Sequence, residues 1–207
     1  MILRLIYVMD PLCSWCWGFT PALEALMKQA EPKGVALHVV AGGLRRERKK
    51  LGIDGRDRLL DDWQIVQDAT GQSFDLQGLP SDFVYDNEPA CRAVVTARYL
   101  APDKVWSLVM QMQQAFHCKG VDVTRPAQLV KLAGKAGLDP ELFAEHFDSP
   151  AMHEATLADF NWVENLGIAG FPTLLAERDS QLALLASGYQ SLDQLEPLLN
   201  RWLENSA

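Results

Sequence analysis

The residues Cys13-Ser14-Trp15-Cys16 stand where a buried strand hands over to a helix. Ile2–Met9 is a short apolar run ended by Asp10-Pro11, the pattern of a fully buried strand. A helix is expected from about Cys13 to Gln29, because Leu23, Leu26, Met27 and Ala30 recur at helical spacing. Pro21 falls inside that helix and is expected to kink it. Val35–Ala41 is a second buried strand, closed by Gly42-Gly43. Strand, helix and strand in about forty residues make a βαβ unit, so the two strands are expected to be parallel.

A thiol at a helix N-terminus faces free N–H groups and the positive end of the macrodipole, which favour the reactive thiolate. Two cysteines at this spacing can close a disulfide and reopen it, so redox chemistry is the first reading. Paired cysteines are also half of many zinc sites, which need a second pair of ligands. Cys91, Cys118, His38, His117, His146 and His153 provide no second close pair, and a metal site is not expected. His117-Cys118 comes nearest, but adjacent residues point in different directions. His146 and His153 fall on successive helices, with Ser149-Pro150 breaking between them. Cys91 reads as a buried inert thiol and Cys118 as a solvent-side spectator.

At 207 residues the chain has room for one large domain, or for a small one carrying an insertion. The formal charge of −8 argues against nucleic acid or an anionic membrane as the main partner. The basic run Arg45-Arg46-Glu47-Arg48-Lys49-Lys50 is expected to be a solvated loop. No apolar stretch reaches transmembrane length. Ile2–Val8 is too short for a signal core and lacks a small-residue cleavage site before the cysteines, so the expected location is cytoplasmic. In reducing cytosol a cysteine pair is more often catalytic or metal-binding than a permanent staple.

From about Gly55 to Leu166 the pattern is helical. Start signals fall at Asn87 with Glu88-Pro89, Pro102, Thr124 with Pro126, Asp139-Pro140 and Ser149-Pro150. An irregular loop is expected between about Thr70 and Asp86. Gly167 caps the last of these helices. Thr173–Ala176 and Leu182–Ala186 read as an antiparallel hairpin joined by Glu177-Arg178-Asp179-Ser180. Leu192–Leu203, capped by Ser191, is a final amphipathic segment in which Pro197 implies a bend or a late start. The order is β-α-β, many helices, then β-β-α.

Gly167-Ile168-Ala169-Gly170-Phe171-Pro172-Thr173-Leu174-Leu175 resembles the thioredoxin-superfamily loop in which a cis-proline opens the third strand. Cys13-Ser14-Trp15-Cys16 resembles that superfamily's active site, and Pro21 matches its helix-kinking proline. Asp10–Phe19 looks like the cytoplasmic branch of the DsbA-like thiol-disulfide oxidoreductase family. The resemblance implies an α/β, thioredoxin-like fold (β-α-β … β-β-α) with a large all-helical insertion. It places the thioredoxin-like domain at residues 1–50 and 160–207 and the inserted helical domain at 51–159. It also implies a cis Phe171–Pro172 bond lying against Cys13, whereas X-Pro bonds in folded proteins are cis in only about 5–6% of cases.

On this reading Cys13, Cys16 and Pro172 are catalytic, and Ser14, Trp15, Gly170, Phe171 and Thr173 bind substrate. Cys13 is expected to be exposed and to attack a disulfide, with buried Cys16 resolving the mixed disulfide. Proline offers no N–H and leaves the Phe171 backbone free to pair with an extended peptide. Trp15 is expected to be exposed as a substrate contact, with Trp17 and Phe19 packing on the helical insertion. Strong oxidants of the family carry a histidine between the cysteines; Ser14-Trp15 stand here instead. Tyr7 occupies the position of the buried acid of thioredoxins, and Asp10 would disfavour a thiolate if close. These features imply a moderately reducing couple suited to reductase or isomerase work. No cofactor is implied, and the partners are a disulfide- or dithiol-containing polypeptide or a small thiol such as glutathione. A glutathione-dependent isomerase or transferase of the same architecture, and a non-catalytic binding protein, are the alternatives.

Overall fold

The computed structural model describes residues 3–44, 50–76, 79 and 83–204. β1 (Leu3–Met9) passes through a four-residue turn into α1 (Ser14–Ala30), and β2 (Ala36–Ala41) returns parallel to β1. α1 is the crossover that two parallel strands require. The register sets Tyr7 beside Val39 and Met9 beside Ala41.

Between β2 and the next strand come α2 (Ile53–Thr70), α3 (Glu88–Leu100), α4 (Val105–Lys119), α5 (Pro126–Lys135), α6 (Pro140–Phe147) and α7 (Pro150–Asn165). Several of these starts follow directly from sequence. Asp139 accepts from the amides of Glu141 and Leu142 at 2.9 and 3.0 Å, and the Ser149 hydroxyl accepts from Met152 N at 3.4 Å. Arg125 rather than Thr124 takes the capping position of α5, and Thr124 turns its hydroxyl to Asp122 instead. The expected domain boundary at 159/160 falls inside α7. Most of the basic run at 45–50 lies outside the described residues; Lys50 forms an isolated bridge with Val84.

β3 (Thr173–Arg178) pairs antiparallel with β1 on the side away from β2, and β4 (Gln181–Ser187) pairs antiparallel with β3. The sheet order is β2-β1-β3-β4. The hairpin is tighter than the four-residue connection expected, because Glu177 and Arg178 belong to β3. Asp179 (φ 47°) and Ser180 (φ 70°) alone make the turn, with the left-handed pair that matches strand twist. α8 (Leu192–Glu204) runs through Pro197 from a start at Leu192, and the Gln194 side chain accepts from Ser191 N at 3.0 Å.

Strand alternation divides the core. Leu5, Tyr7, Met9, Leu174 and Ala176 point to the same core as residues of α1 and α8. Ile6, Val8, Val40 and Leu175 point the other way, onto Val163 of α7. On the open flank of β2, Arg98 donates to Val39 O at 2.7 Å and pairs with Asp159, which accepts from Ala41 N at 2.9 Å.

Two of the contacts that fasten α1 to the helical segment involve Gly18 and Pro21. A Cβ on Gly18 would fall 2.8 Å from Thr70 Cγ2 and 3.0 Å from Val66 Cγ1, so glycine sets how closely α1 and α2 approach. Pro21 has no N–H to give to Trp17 O, and the Gln72 side chain donates to that carbonyl at 3.0 Å in its place.

Candidate active site

The turn from β1 to α1 is closed by Cys13 N donating to Asp10 O at 3.1 Å. Cys13 is the N-cap residue of α1, with extended backbone (φ −75°, ψ 117°), and no side chain caps that end. The amides of the first turn, from Ser14 onward, therefore surround the motif without intrahelical partners. Both cysteines are free thiols.

Cys13 Sγ lies 3.7 Å from the carbonyl oxygen of Phe171, 158 positions away. The Phe171–Pro172 bond is cis. β3 begins immediately after it, so antiparallel pairing with β1 (Val8 opposite Thr173) sets this strip beside the β1–α1 turn. Gly170 is exposed, Phe171 half-buried, and Thr173 buried, its hydroxyl donating to Gly170 O at 2.9 Å. The Phe171 ring stands over Gly42, where a Cβ would fall 2.2–2.7 Å from ring carbons.

Two expectations change here. Cys13 is 5% exposed rather than open, because the Phe171 carbonyl closes over it and it belongs to the main core cluster. Trp15 is half-buried: its ring is tilted against Tyr189 at 5.8 Å between centroids. Gly188 (φ 85°) makes the bend that lifts Tyr189 there, its amide donating to Pro172 O at 2.8 Å. Ser14, the first residue of α1, is also half-buried.

Cys16 has no exposed surface. Burial pushes its thiol well above the ordinary range, and the adjoining Cys13 thiol adds to this. Tyr7, also fully buried, donates to Cys16 O at 3.3 Å, and burial first, then the two cysteines, raise its phenol. The aromatic shell then divides. Trp17 does pack on the helical segment, donating from Nε1 to Ser73 O at 3.0 Å and stacking on His117. Phe19 stacks on Tyr7 and meets Tyr189, both outside that segment, within the core cluster it shares with Met112 and Phe116.

His117 is enclosed by Trp17, Trp63, Phe74 and Phe116, with no exposed surface. Burial lowers its pKa to about 3, keeping the ring neutral. Cys118 remains partly exposed and donates to Ser73 O at 3.1 Å. Cys91 is buried, and burial, with Asp10 next, raises its thiol. Among the described residues no group of three or more His, Cys, Asp or Glu is placed to hold a metal.

Asn87, Gly42 and Tyr189 are site features that sequence reasoning left without a role there, and Asp10, expected only to disfavour a thiolate if close, is joined to Asn87. Asp10 Oδ1 accepts from Leu12 N at 2.9 Å and from Asn87 Nδ2 at 2.6 Å. Its Oδ2 accepts from Leu44 N at 2.8 Å and Cys91 Sγ at 3.5 Å. The Asp-Pro pair marked the end of a strand and Asn87 the start of a helix; nothing in their spacing joined them.

The model of the DSBA-like thioredoxin domain family matches residues 4–200. The chain belongs to that family. As a DSBA-like protein it is a member of a family of thiol–disulfide oxidoreductases, and the sheet with its long helical segment is the DSBA-like fold. A candidate protein disulfide isomerase from Nitrosomonas europaea is 35% identical, with each chain covered in full and a TM-score of 0.93. The cytosolic disulfide reductase DsbM from Pseudomonas aeruginosa is 28% identical over 99% of this chain and 98% of that one, with a TM-score of 0.78. A second structure of that reductase, with GSH, gives 26% identity and a TM-score of 0.76. The ClpXP adapter protein SpxH of Halalkalibacterium halodurans is 22% identical over 182 residues, which are 86% of this DSBA-like chain but only 60% of the adapter. No helix among the described residues is long and apolar enough to cross a membrane.

Proposed function

We propose that this DSBA-like chain is a reductase- or isomerase-type thiol–disulfide oxidoreductase working through Cys13-Ser14-Trp15-Cys16. Cys13, as thiolate, attacks one sulfur of a substrate disulfide, forming the Cys13–substrate bond and expelling the other substrate sulfur as thiolate. Cys16 loses its proton and attacks Cys13 Sγ. The second substrate sulfur leaves and takes up a proton, and the protein ends as a disulfide. Two electrons and two protons pass to the substrate; a small thiol such as glutathione returns them.

The observation that carries this reading is the placing of Cys13 Sγ beside Phe171 O and the cis Pro172, with a second free thiol buried behind it. The strip Gly170–Thr173 can hold a substrate backbone there, flanked by Ser14 and Trp15. The P. aeruginosa relative, a cytosolic disulfide reductase also solved with GSH, supports a thiol partner and a cytoplasmic location. The N. europaea relative supports the isomerase side of the assignment. We read residues 1–50 with 160–207 as the thioredoxin-like domain and 51–159 as its inserted helical domain. The adapter relative favours a binding module instead. Retention of Cys13, Cys16 and Pro172 together weighs for catalysis.

Insulin reduction driven by glutathione, run beside a glutathione-binding measurement, tests the assignment. Turnover is expected from the native protein and none from Cys13→Ser. Equal rates for the two, or glutathione binding without turnover, would overturn it.

A further inference from the structure

Asp10 carries a carboxylate with no exposed surface, at the foot of the turn that presents Cys13. Its four partners are all donors: the Leu12 and Leu44 amides, the Asn87 side-chain amide and the Cys91 thiol. An ionised carboxylate only accepts, and these donors suit it; a protonated one would need an acceptor that the three N–H groups do not provide. Asn87 Oδ1 is left without a partner, so its amide is turned to serve Asp10. Among the described residues no lysine, arginine or histidine side chain is among its partners. A negative charge is thus held inside the protein by neutral dipoles.

The groups that face it are few. α1 brings Cys16, the start of α3 brings Asn87 and Cys91 with Glu88 behind them, and the segment after β2 brings the Leu44 amide. Asp10 opposes ionisation of both Cys16 and Cys91, although its own amide points helpfully at the Cys16 sulfur. Burial raises the Asp10 carboxyl itself, against the pull of its four hydrogen bonds. A couple becomes more oxidising as its reduced, ionised form is stabilised, and a fixed anion does the reverse.

We propose that Asp10 is a positioning residue of the redox site, whose buried charge keeps the Cys13–Cys16 couple reducing. It touches no substrate and takes no part in bond exchange. The electrons still pass from the dithiol to the substrate disulfide, with glutathione as the returning thiol. Thioredoxins hold an acid where this chain has Tyr7; here the charge sits on Asp10 and is anchored to Asn87 and Cys91 at the start of α3 in the helical segment. This inference rests on the assignment of Cys13 and Cys16 as a redox pair.

The test is the redox equilibrium of the full chain with reduced and oxidised glutathione, for the native protein and for Asp10→Asn. The variant is expected to shift the equilibrium about tenfold toward the dithiol, about 30 mV for a two-electron couple. Its alkylation by iodoacetamide is expected to rise at lower pH. A well-folded variant whose equilibrium moves less than twofold overturns the proposal, leaving Asp10 a purely structural role. If the native pair does not equilibrate with glutathione at all, the redox assignment itself fails.

A measurement on the native protein stands if Asp10→Asn does not fold. With carboxyl-13C aspartate, the Asp10 signal is expected to shift with alkaline thiol ionisation in the dithiol form and to stay still in the disulfide form. Identical behaviour in both forms overturns the proposal.

Discussion

The ring of Phe171 rests on Gly42, at the end of β2, where a Cβ would fall within 2.2–2.7 Å of it. The same Phe171 offers its carbonyl to Cys13. Gly42→Ala must therefore push the ring away and take the loop ahead of Pro172 with it. Overpacking of this kind costs about 1–3 kcal/mol. Thermal unfolding is expected to show that loss, and glutathione-driven insulin reduction is expected to fall about tenfold or more. A variant as active and as stable as the native protein would show that the contact places nothing.

Cys16 lies fully buried behind Cys13. With Cys16→Ser the first exchange at Cys13 can proceed but the second cannot. Incubation with oxidised glutathione is expected to yield a protein–glutathione adduct, visible by intact mass and released by dithiothreitol. The double variant Cys13→Ser, Cys16→Ser is expected to form none at this site.

Trp15 leans on Tyr189, so most of its surface is already spent within the protein. Trp15→Ala is expected to raise KM for a polypeptide disulfide several-fold and to leave kcat for a small disulfide within about twofold, since contact area is lost without moving the thiols. Equal losses on both substrates would mean that Trp15 supports the turn rather than the substrate.

His117 makes acid costly. Its folded pKa of about 3 lies below the unfolded value, so between those two values the unfolded chain binds a proton that the folded chain refuses. The sign follows: stability is full above about pH 6.5 and is lost as pH falls toward 3, at roughly 1.4 kcal/mol per pH unit. Urea midpoints across this window are expected to slope for the native protein and to flatten for His117→Phe, which keeps the aromatic packing. An unchanged slope in the variant would assign the acid sensitivity to other groups.

The order of elements along the chain and the two reactive segments could be read from the sequence because each is local. An apolar run closed by Asp-Pro, a pair of cysteines at the helix entry and Gly-Phe-Pro-Thr before β3 each announce themselves within a few residues. The resemblance to the DsbA-like family then joined the two segments. What stayed hidden depends on packing between distant elements. Gly42 marked only the end of a strand, and the ring above it comes from 129 positions later. Tyr189 carried no signal at all, because the bend at Gly188 brings it to Trp15. The exposure expected of Cys13 failed for the same reason: the carbonyl that covers it belongs to the other half of the fold.

The Arg98–Asp159 clamp on β2 has a consequence for association. By occupying Val39 O and Ala41 N, it denies an incoming strand two of the hydrogen bonds it would use to extend the sheet on that flank. A foreign chain seeking to add itself edge-on is thereby directed to β4, where Gln181–Ser187 bears no charge to repel it.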